Sequence, residues 1–320
     1  MSQVQKNKSR FWMIPSLLLV VVIVVVGLVL LGQQGLGVLA ILATRTSTPT
    51  DTPTLTPTQT PSPTPTLTET PAQNTFSTWM RPADGMTMLL VPAGSFNMGS
   101  SGFYPNEIPV HAVSLDAYWI DQTEVTNAMY AKCVSAGACK APTGSGSFSH
   151  PTKYYDGEQY SNYPVIYVDW DQAGAYCTWA EARLPTEAEW ERAARGTGWG
   201  FYPWGIAAPT CSLANFWSGS DTCVGDTTAV GSYPAGVSPV GALDMAGNVW
   251  EWVQDWYGET YYSQSPAGNP QGPASGTDRV LRGGAWDFNE NYVRSTYRYK
   301  SDPSDSYNVV GFRCSRYDTP

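Results

Sequence analysis

The stretch RVLRGGAWDFNENYVRSTYRYKSDPSDSYNVVGFRC (Arg279–Cys314) decides what this chain is. Gly283-Gly284 marks a backbone bend, because no strand, glycine-rich loop and lysine pattern surrounds it to cradle a phosphate. From Trp286 to Asn308 the chain is rich in Tyr, Asn, Ser and Asp, with Trp, Phe and Arg interspersed. Tyr and Trp give rigid contact area while Ser and Asn give adaptable hydrogen bonds, so this is a binding-loop composition. The alternative is an ordinary aromatic-rich loop layer stacked on Arg294, Arg298 and Arg313. Upstream lie, in chain order, VPAGSFNMGS (Val91–Ser100), EVTNAMY (Glu124–Tyr130), LPTEAEWERAAR (Leu184–Arg195), YPWG (Tyr202–Gly205) and LDMAGNVWEW (Leu243–Trp252).

Local patterns give the elements around these motifs. Met88–Ser100 alternates apolar with small or polar residues about Pro92-Ala93-Gly94, which predicts a hairpin. Val113–Thr126 reads as a strand feeding a helix over Asn127–Val134, with Thr126 as its N-cap. A second helix follows Asp169, because Ala173, Tyr176, Cys177 and Ala180 share one face. Thr186 and Glu189 form a capping box for a third helix, with Trp190, Ala193 and Ala194 on its apolar side. Glu187, Glu189 and Glu191 read as a solvated face of that helix. Frequent Gly, Pro and Asn after Gly196 predict long loops and short strands, so the fold class is α+β with low regular content.

The N-terminal region has a different character. Residues 1–10 carry Lys6, Lys8 and Arg10 and are expected to be cytoplasmic. The uncharged run Phe11–Leu31 would span roughly 30 Å as a helix, the thickness of a bilayer core. It is read as a single transmembrane anchor with the N-terminus inside, and an extension of the span to residue 43 is the longer reading. Cleavage near Ala40 or Ala43 is the alternative. Residues 44–79 form a Thr/Pro-rich stalk, about 80 Å long if its central repeat of about 26 residues is extended polyproline II. A domain over residues 80–320 would then lie outside the cytoplasm, at the cell membrane.

Four of the 18 Lys and Arg and two of the 27 Asp and Glu precede residue 80, which leaves the domain 14 bases against 25 acids, a net charge of about −11. Such a surface repels nucleic acid and anionic lipid. All 6 cysteines lie in the domain, and an oxidising compartment favours disulfides. Cys133 and Cys139 bracket a short turn, and Cys211 and Cys223 bracket a Trp/Gly/Ser loop, so each suggests a local bridge. Cys177 and Cys314 remain, and spacing alone leaves the connectivity open. His111, beside Pro109, reads as structural, and His150 as exposed.

Taken together, the ordered motifs resemble the formylglycine-generating enzyme, or sulfatase-modifying factor, family. The resemblance covers nearly all of Met88–Arg316 and implies a C-type-lectin-like arrangement. It implies a Cys177–Cys314 disulfide, and it places the family's second long-range bridge at Ala194 and Arg298, so both of its partners are absent. Family enzymes oxidise a substrate cysteine using a copper-binding cysteine pair. That pair falls at Phe288 and Val293, and the family's active-site serine falls at Ala285, so copper is not expected here. A related branch binds iron through histidines, and with only His111 and His150 a three-ligand site here would need carboxylates to fill in. The resemblance also implies structural calcium held by Asp244 and Glu251 with the carbonyls of Gly247 and Val249. The other reading of that motif is a hydrogen-bonded turn without metal. A second calcium site would use Asn215 and the carbonyl of Phe216 with Asp221, or Asp226 as the weaker candidate. Both ions suit mixed carboxylate and carbonyl ligation.

The expectation is a membrane-tethered domain that does not form formylglycine and binds an extracellular protein, peptide or glycan. Its ligand-binding residues would be Trp286, Asp287, Phe288, Asn289, Tyr292, Arg294, Tyr297, Tyr299 and Tyr307. The alternatives are a cysteine-to-formylglycine oxidase or a related metal-dependent oxidase, and a structural envelope protein.

Overall fold

The computed structural model describes residues 76–318 apart from Trp199 and Ser220. The expected anchor at 11–31 and nearly all of the stalk lie outside the described residues, among which no helix is long and apolar enough to cross a membrane. Among the described residues, ten strands and three α-helices make up the main regular structure: β1 (Thr78–Met80), β2 (Thr87–Val91), β3 (Gly94–Met98), β4 (His111–Leu115), β5 (Tyr118–Asp121), α1 (Asn127–Ser135), α2 (Trp170–Trp179), α3 (Glu187–Arg195), β6 (Trp250–Trp256), β7 (Arg279–Arg282), β8 (Tyr299–Ser301), β9 (Val310–Phe312) and β10 (Ser315–Tyr317). Most of the rest is loop, and the fold is α+β as expected. Because β1 pairs with β2, the last residues assigned to the stalk belong to the domain.

The strands form sheets ordered β1-β2-β5-β10, β3-β4 and β8-β7-β6-β9. The hairpin expected over Met88–Ser100 is absent. Instead β2 pairs with β1 and β5, while β3 leaves through Pro92-Ala93 to pair with β4 in another sheet. The strand expected within Val113–Thr126 is likewise two strands, β4 and β5, in separate sheets. Alternation reports which residues face inward and carries no information about which strand is the partner. The central strand β2 of the first sheet is buried on both faces. Met88 joins a core formed by α1, α2 and β6, whereas Leu89 and Val91 join a second core formed by β3, β4 and α3.

The helix caps follow the expectation. The Thr126 hydroxyl accepts from the Met129 N–H, Asp169 and Gln172 form a capping box on α2, and Thr186 and Glu189 form one on α3. Ala173, Tyr176, Cys177 and Ala180 are buried together. All three disulfides are present: Cys133–Cys139, Cys211–Cys223 and Cys177–Cys314, the last joining α2 to the segment before β10.

The glutamate run of α3 corrects the sequence reading. Glu187, Glu189 and Glu191 are buried, because α3 lies in the core rather than at the surface. Burial of a carboxylate requires a partner, and each has one from elsewhere in the chain. Glu187 accepts from Arg298 at 2.6 and 2.8 Å, Glu189 from Arg183 at 2.6 Å, and Glu191 from Arg282 at 2.7 Å and Arg195 at 3.1 Å. Arg298, at the position of a missing bridge cysteine, thus still fastens its segment to α3, the helix that carries Ala194.

Candidate functional site

Gly283 and Gly284 lead out of β7 at φ +93° and +77°, a region that favours glycine. A Cβ on Gly284 would lie 2.6 Å from Val293 Cγ1 and 2.9 Å from the Tyr292 carbonyl oxygen. This close approach folds 285–293 into a compact loop. Within it the Phe288 N–H donates to the Ala285 carbonyl at 3.0 Å, and the Tyr292 N–H to the Asn289 carbonyl at 3.0 Å. Phe288 packs edge-on against Trp250 and Tyr292, each with ring centroids 5.2 Å away. Val293 is buried with Tyr202, Ala214, Phe216 and Ala246. Both positions of the missing copper pair are therefore apolar packing positions, and Ala285 beside them is buried.

The nine expected ligand residues do not form one surface. Trp286, Arg294 and Tyr297 are buried, while Asp287, Tyr299 and Tyr307 are exposed and Phe288, Asn289 and Tyr292 are half-buried. Arg294 is a support: it binds Glu107 at 2.7 and 2.9 Å and lies 3.7 Å beneath the Phe103 ring. Above it, aromatic rings follow one another from Tyr104 to Tyr297, Tyr292 and Phe288, with centroid separations of 5.2, 4.9 and 5.2 Å. Tyr299 stacks on Trp250 at 5.1 Å. The Tyr297 hydroxyl is pushed well above the usual phenol range by burial and then by Tyr292, so it stays protonated near neutral pH.

Phe103, Tyr104, Phe201 and Trp217 were not anticipated, yet each is exposed. Phe103 and Phe201 touch edge-to-face at 5.3 Å, and the Trp217 N–H donates to the Phe288 carbonyl at 2.9 Å. Phe103 and Tyr104 lie in GFYPNE and Phe201 directly precedes YPWG, but nothing local places those loops beside residue 288.

A second locus surrounds the DMAGN turn, where Asp244, Gly247 and Asn248 adopt φ +58°, +79° and +62°. Asp244 accepts the Gly231 N–H at 2.6 Å, and its Oδ1 is buried without a partner. Glu124 accepts from Asn248 at 3.1 Å, and its Oε2 is likewise buried and unpaired. Burial raises both carboxyls, Glu124 well above its ordinary range, and Asp244 contributes next to the Glu124 shift. Orphaned buried acceptors of this kind fit a bound cation. Glu251 does not fit that role: both its oxygens accept from Arg313 at 2.7 Å, and one also from Trp190 at 2.7 Å.

The expected second cation site fits less well. Asn215 Oδ1 is buried and unpaired, but Asp221 is exposed and holds the Thr222 N–H within its own loop. The Asp226 carboxylate is already filled by Ser147, Ser149 and Thr227. Among the described residues no three His, Cys, Asp or Glu side chains converge as a metal-ligand set. His111 bonds the Pro109 carbonyl at 3.0 Å, and His150 is exposed beside Tyr160.

Residues 73–317 match the model of the Sulfatase-modifying factor enzyme 1-like domain. The chain belongs to this family. It is 35% identical over 287 residues to a formylglycine-generating enzyme of Streptomyces coelicolor, covering 73% of this chain and 90% of that one. It is 37% identical over 245 residues to the serine/threonine-protein kinase pkn1 of Chlamydia pneumoniae, covering 72% of this chain but only 38% of that protein. The solved structure of PvdO from Pseudomonas aeruginosa superposes with a TM-score of 0.64 at 27% identity, covering 77% of this chain and all of that one. Within the family scaffold, the motifs that pack the core are kept here, and the two copper-pair positions are apolar.

Proposed function

We propose that this sulfatase-modifying-factor domain is a ligand-binding module that does not make formylglycine. The observation that carries the reading is the packing of Phe288 and Val293. Copper-dependent oxygen activation in this family needs soft sulfur ligands, and these positions offer only carbon, packed among Trp250, Tyr292 and Phe216. No step through copper is derived, because the residues present do not fit the metal. The aromatic face from Tyr104 through Tyr292 to Tyr299 and Tyr307 supplies rigid, half-exposed contact area suited to an extracellular protein, peptide or glycan. The apolar run 11–31 and the Thr/Pro stretch 44–79 support display outside the cell from a membrane anchor, and the lectin-like arrangement belongs to the same proposal.

Structural calcium is part of this reading. Asp244 and Glu124 would hold the ion, with carbonyls of the turn completing its oxygen shell, and Glu251 would stay with Arg313. The ion would neutralise two buried carboxylates and take no part in chemistry. The binding surface is tested with the Tyr292→Ala, Tyr299→Ala double variant on peptide and glycan arrays. A saturable ligand of the wild type that the variant loses supports the assignment. A ligand that both bind equally places recognition elsewhere.

A further inference from the structure

The domain has a second groove, lined in part by α2, β6 and β7 and centred on Arg279, the first residue of RVLRGG. It is open, about 610 Å³ in volume, and walled on one side by residues 271–274. Trp170, Gly174 and Thr178 lie one helical turn apart and present one face of α2 to it. At its centre the Arg279 guanidinium carbon lies 3.7 Å from the Trp170 ring and 3.5 Å from the Trp256 ring. Two rings that close cannot share one face of a planar group, so the guanidinium is clamped between them. Its donors point in the plane, along its open edge.

Arg279, like Arg192 and Arg316, differs from the arginines that organise this domain through ion pairs. Arg81, Arg183, Arg195, Arg282, Arg294, Arg298 and Arg313 each pair with a carboxylate. Among the described residues Arg279 has no carboxylate within ion-pair distance. Its one hydrogen bond goes from Nη1 to the Gln254 carbonyl at 2.7 Å, and Nε has no partner. With Nε buried and Nη1 on Gln254, Nη2 is the donor left to give a carboxylate oxygen a charge-assisted hydrogen bond. Asp255 and Asp171 act on Arg279 only through space, so this cation has no direct carboxylate partner in a domain with 25 acids and 14 bases. The Gln254 and Gln271 amides, 3.3 Å apart, and the Thr178 hydroxyl add neutral hydrogen-bonding groups around it.

We propose that this groove binds an acidic saccharide, with the carboxylate of a uronic acid on Arg279 and sugar hydroxyls on Gln254, Gln271 and Thr178. The tryptophan faces are occupied by the guanidinium, so the sugar is recognised by charge and hydrogen bonds rather than by stacking. This site is separate in sequence and in lining residues from the aromatic face above and does not rest on it.

The test is titration calorimetry of the full chain, kept in mild detergent, with tetragalacturonate, its methyl ester and free acetate. Saturable binding of the acid that weakens at least tenfold on esterification, and that acetate does not match at equal carboxylate concentration, is expected. Two variants carry the assignment. Arg279→Gln removes the cation. Gly174→Leu fills the groove from a position where a Cβ meets nothing within 4 Å, and it replaces a helix-destabilising glycine, so the fold is kept. Loss of binding in both variants, with unchanged thermal unfolding of Gly174→Leu, supports the site. No binding by the wild type, binding retained by Gly174→Leu, or an equal response to acetate and tetragalacturonate would each overturn it.

Discussion

Two of the buried acid clusters in this domain are handled in opposite ways. On α3, Glu187 and Glu191 are saturated by Arg282, Arg298 and Arg195. Around the DMAGN turn, Glu124 and Asp244 each keep an oxygen without a partner, and Arg313, the nearby cation, is committed to Glu251. The first cluster is complete within the chain and so fixes the scaffold. The second keeps two buried carboxyl oxygens unpaired, which is why the proposed cation is assigned there and not to α3. The same C-terminal segment supplies Arg282, Arg298 and Arg313 to the core and Tyr292, Tyr299 and Tyr307 to the outside. Scaffold and surface thus change independently, and the family's copper positions can become apolar while its core motifs persist.

Breaking the saturated cluster should cost most. Glu187→Ala leaves Arg298 and part of Arg282 buried without a carboxylate, and a loss of about 3–5 kcal/mol in urea unfolding is expected. A loss under about 1 kcal/mol would mean that the α3 pairs are not the frame described here.

The unsaturated cluster should respond to metal. With calcium at a hundred times its dissociation constant the stabilisation is about 2.7 kcal/mol, so chelation should lower the Tm by several degrees. Asp244→Ala should remove that sensitivity. If chelation leaves the Tm unchanged, the two raised carboxyls share a proton instead of an ion.

The pH dependence of stability sharpens the contrast at α3. Asp255 is pushed up to about 8 by burial and by Glu187, although it accepts the Glu187 N–H at 2.8 Å. Its folded-state pKa lies above its unfolded value, so the folded state binds the extra proton. Stability from this group is full below about pH 4, falls as pH rises, and levels off above about pH 8. Asp255→Asn keeps an acceptor for that N–H and should flatten the slope of stability against pH in this window. An unchanged slope would assign it to other groups.

The smallest stability effect is expected at the surface. Tyr299 is 40% exposed, and Tyr299→Ala should shift unfolding by about 1 kcal/mol or less while weakening ligand capture. A larger loss would make the aromatic face part of the core.

The helices were legible in the sequence because capping and 3.6-residue periodicity are local, as Thr126, Asp169 and Thr186 illustrate. The copper-pair substitutions were legible because motif position alone decides them. The partner of β2 was not, since alternation in MLLV fits any neighbour and this strand is buried on both faces. Nor was the burial of Glu187, whose partner Arg298 lies 111 residues away. The pairing of Glu251 with Arg313 was hidden for the same reason, and so was the unpaired Glu124.

The account stands or falls on whether the apolar pair at 288 and 293 has removed the family chemistry. The direct measurement incubates the purified, disulfide-intact protein with copper, oxygen, reductant and a Cys-X-Pro-X-Arg peptide, and follows the peptide by mass spectrometry beside an active formylglycine-generating enzyme. The account predicts unmodified peptide while the control converts. Formylglycine in the test reaction would contradict it and would require an oxidising site that does not use positions 288 and 293.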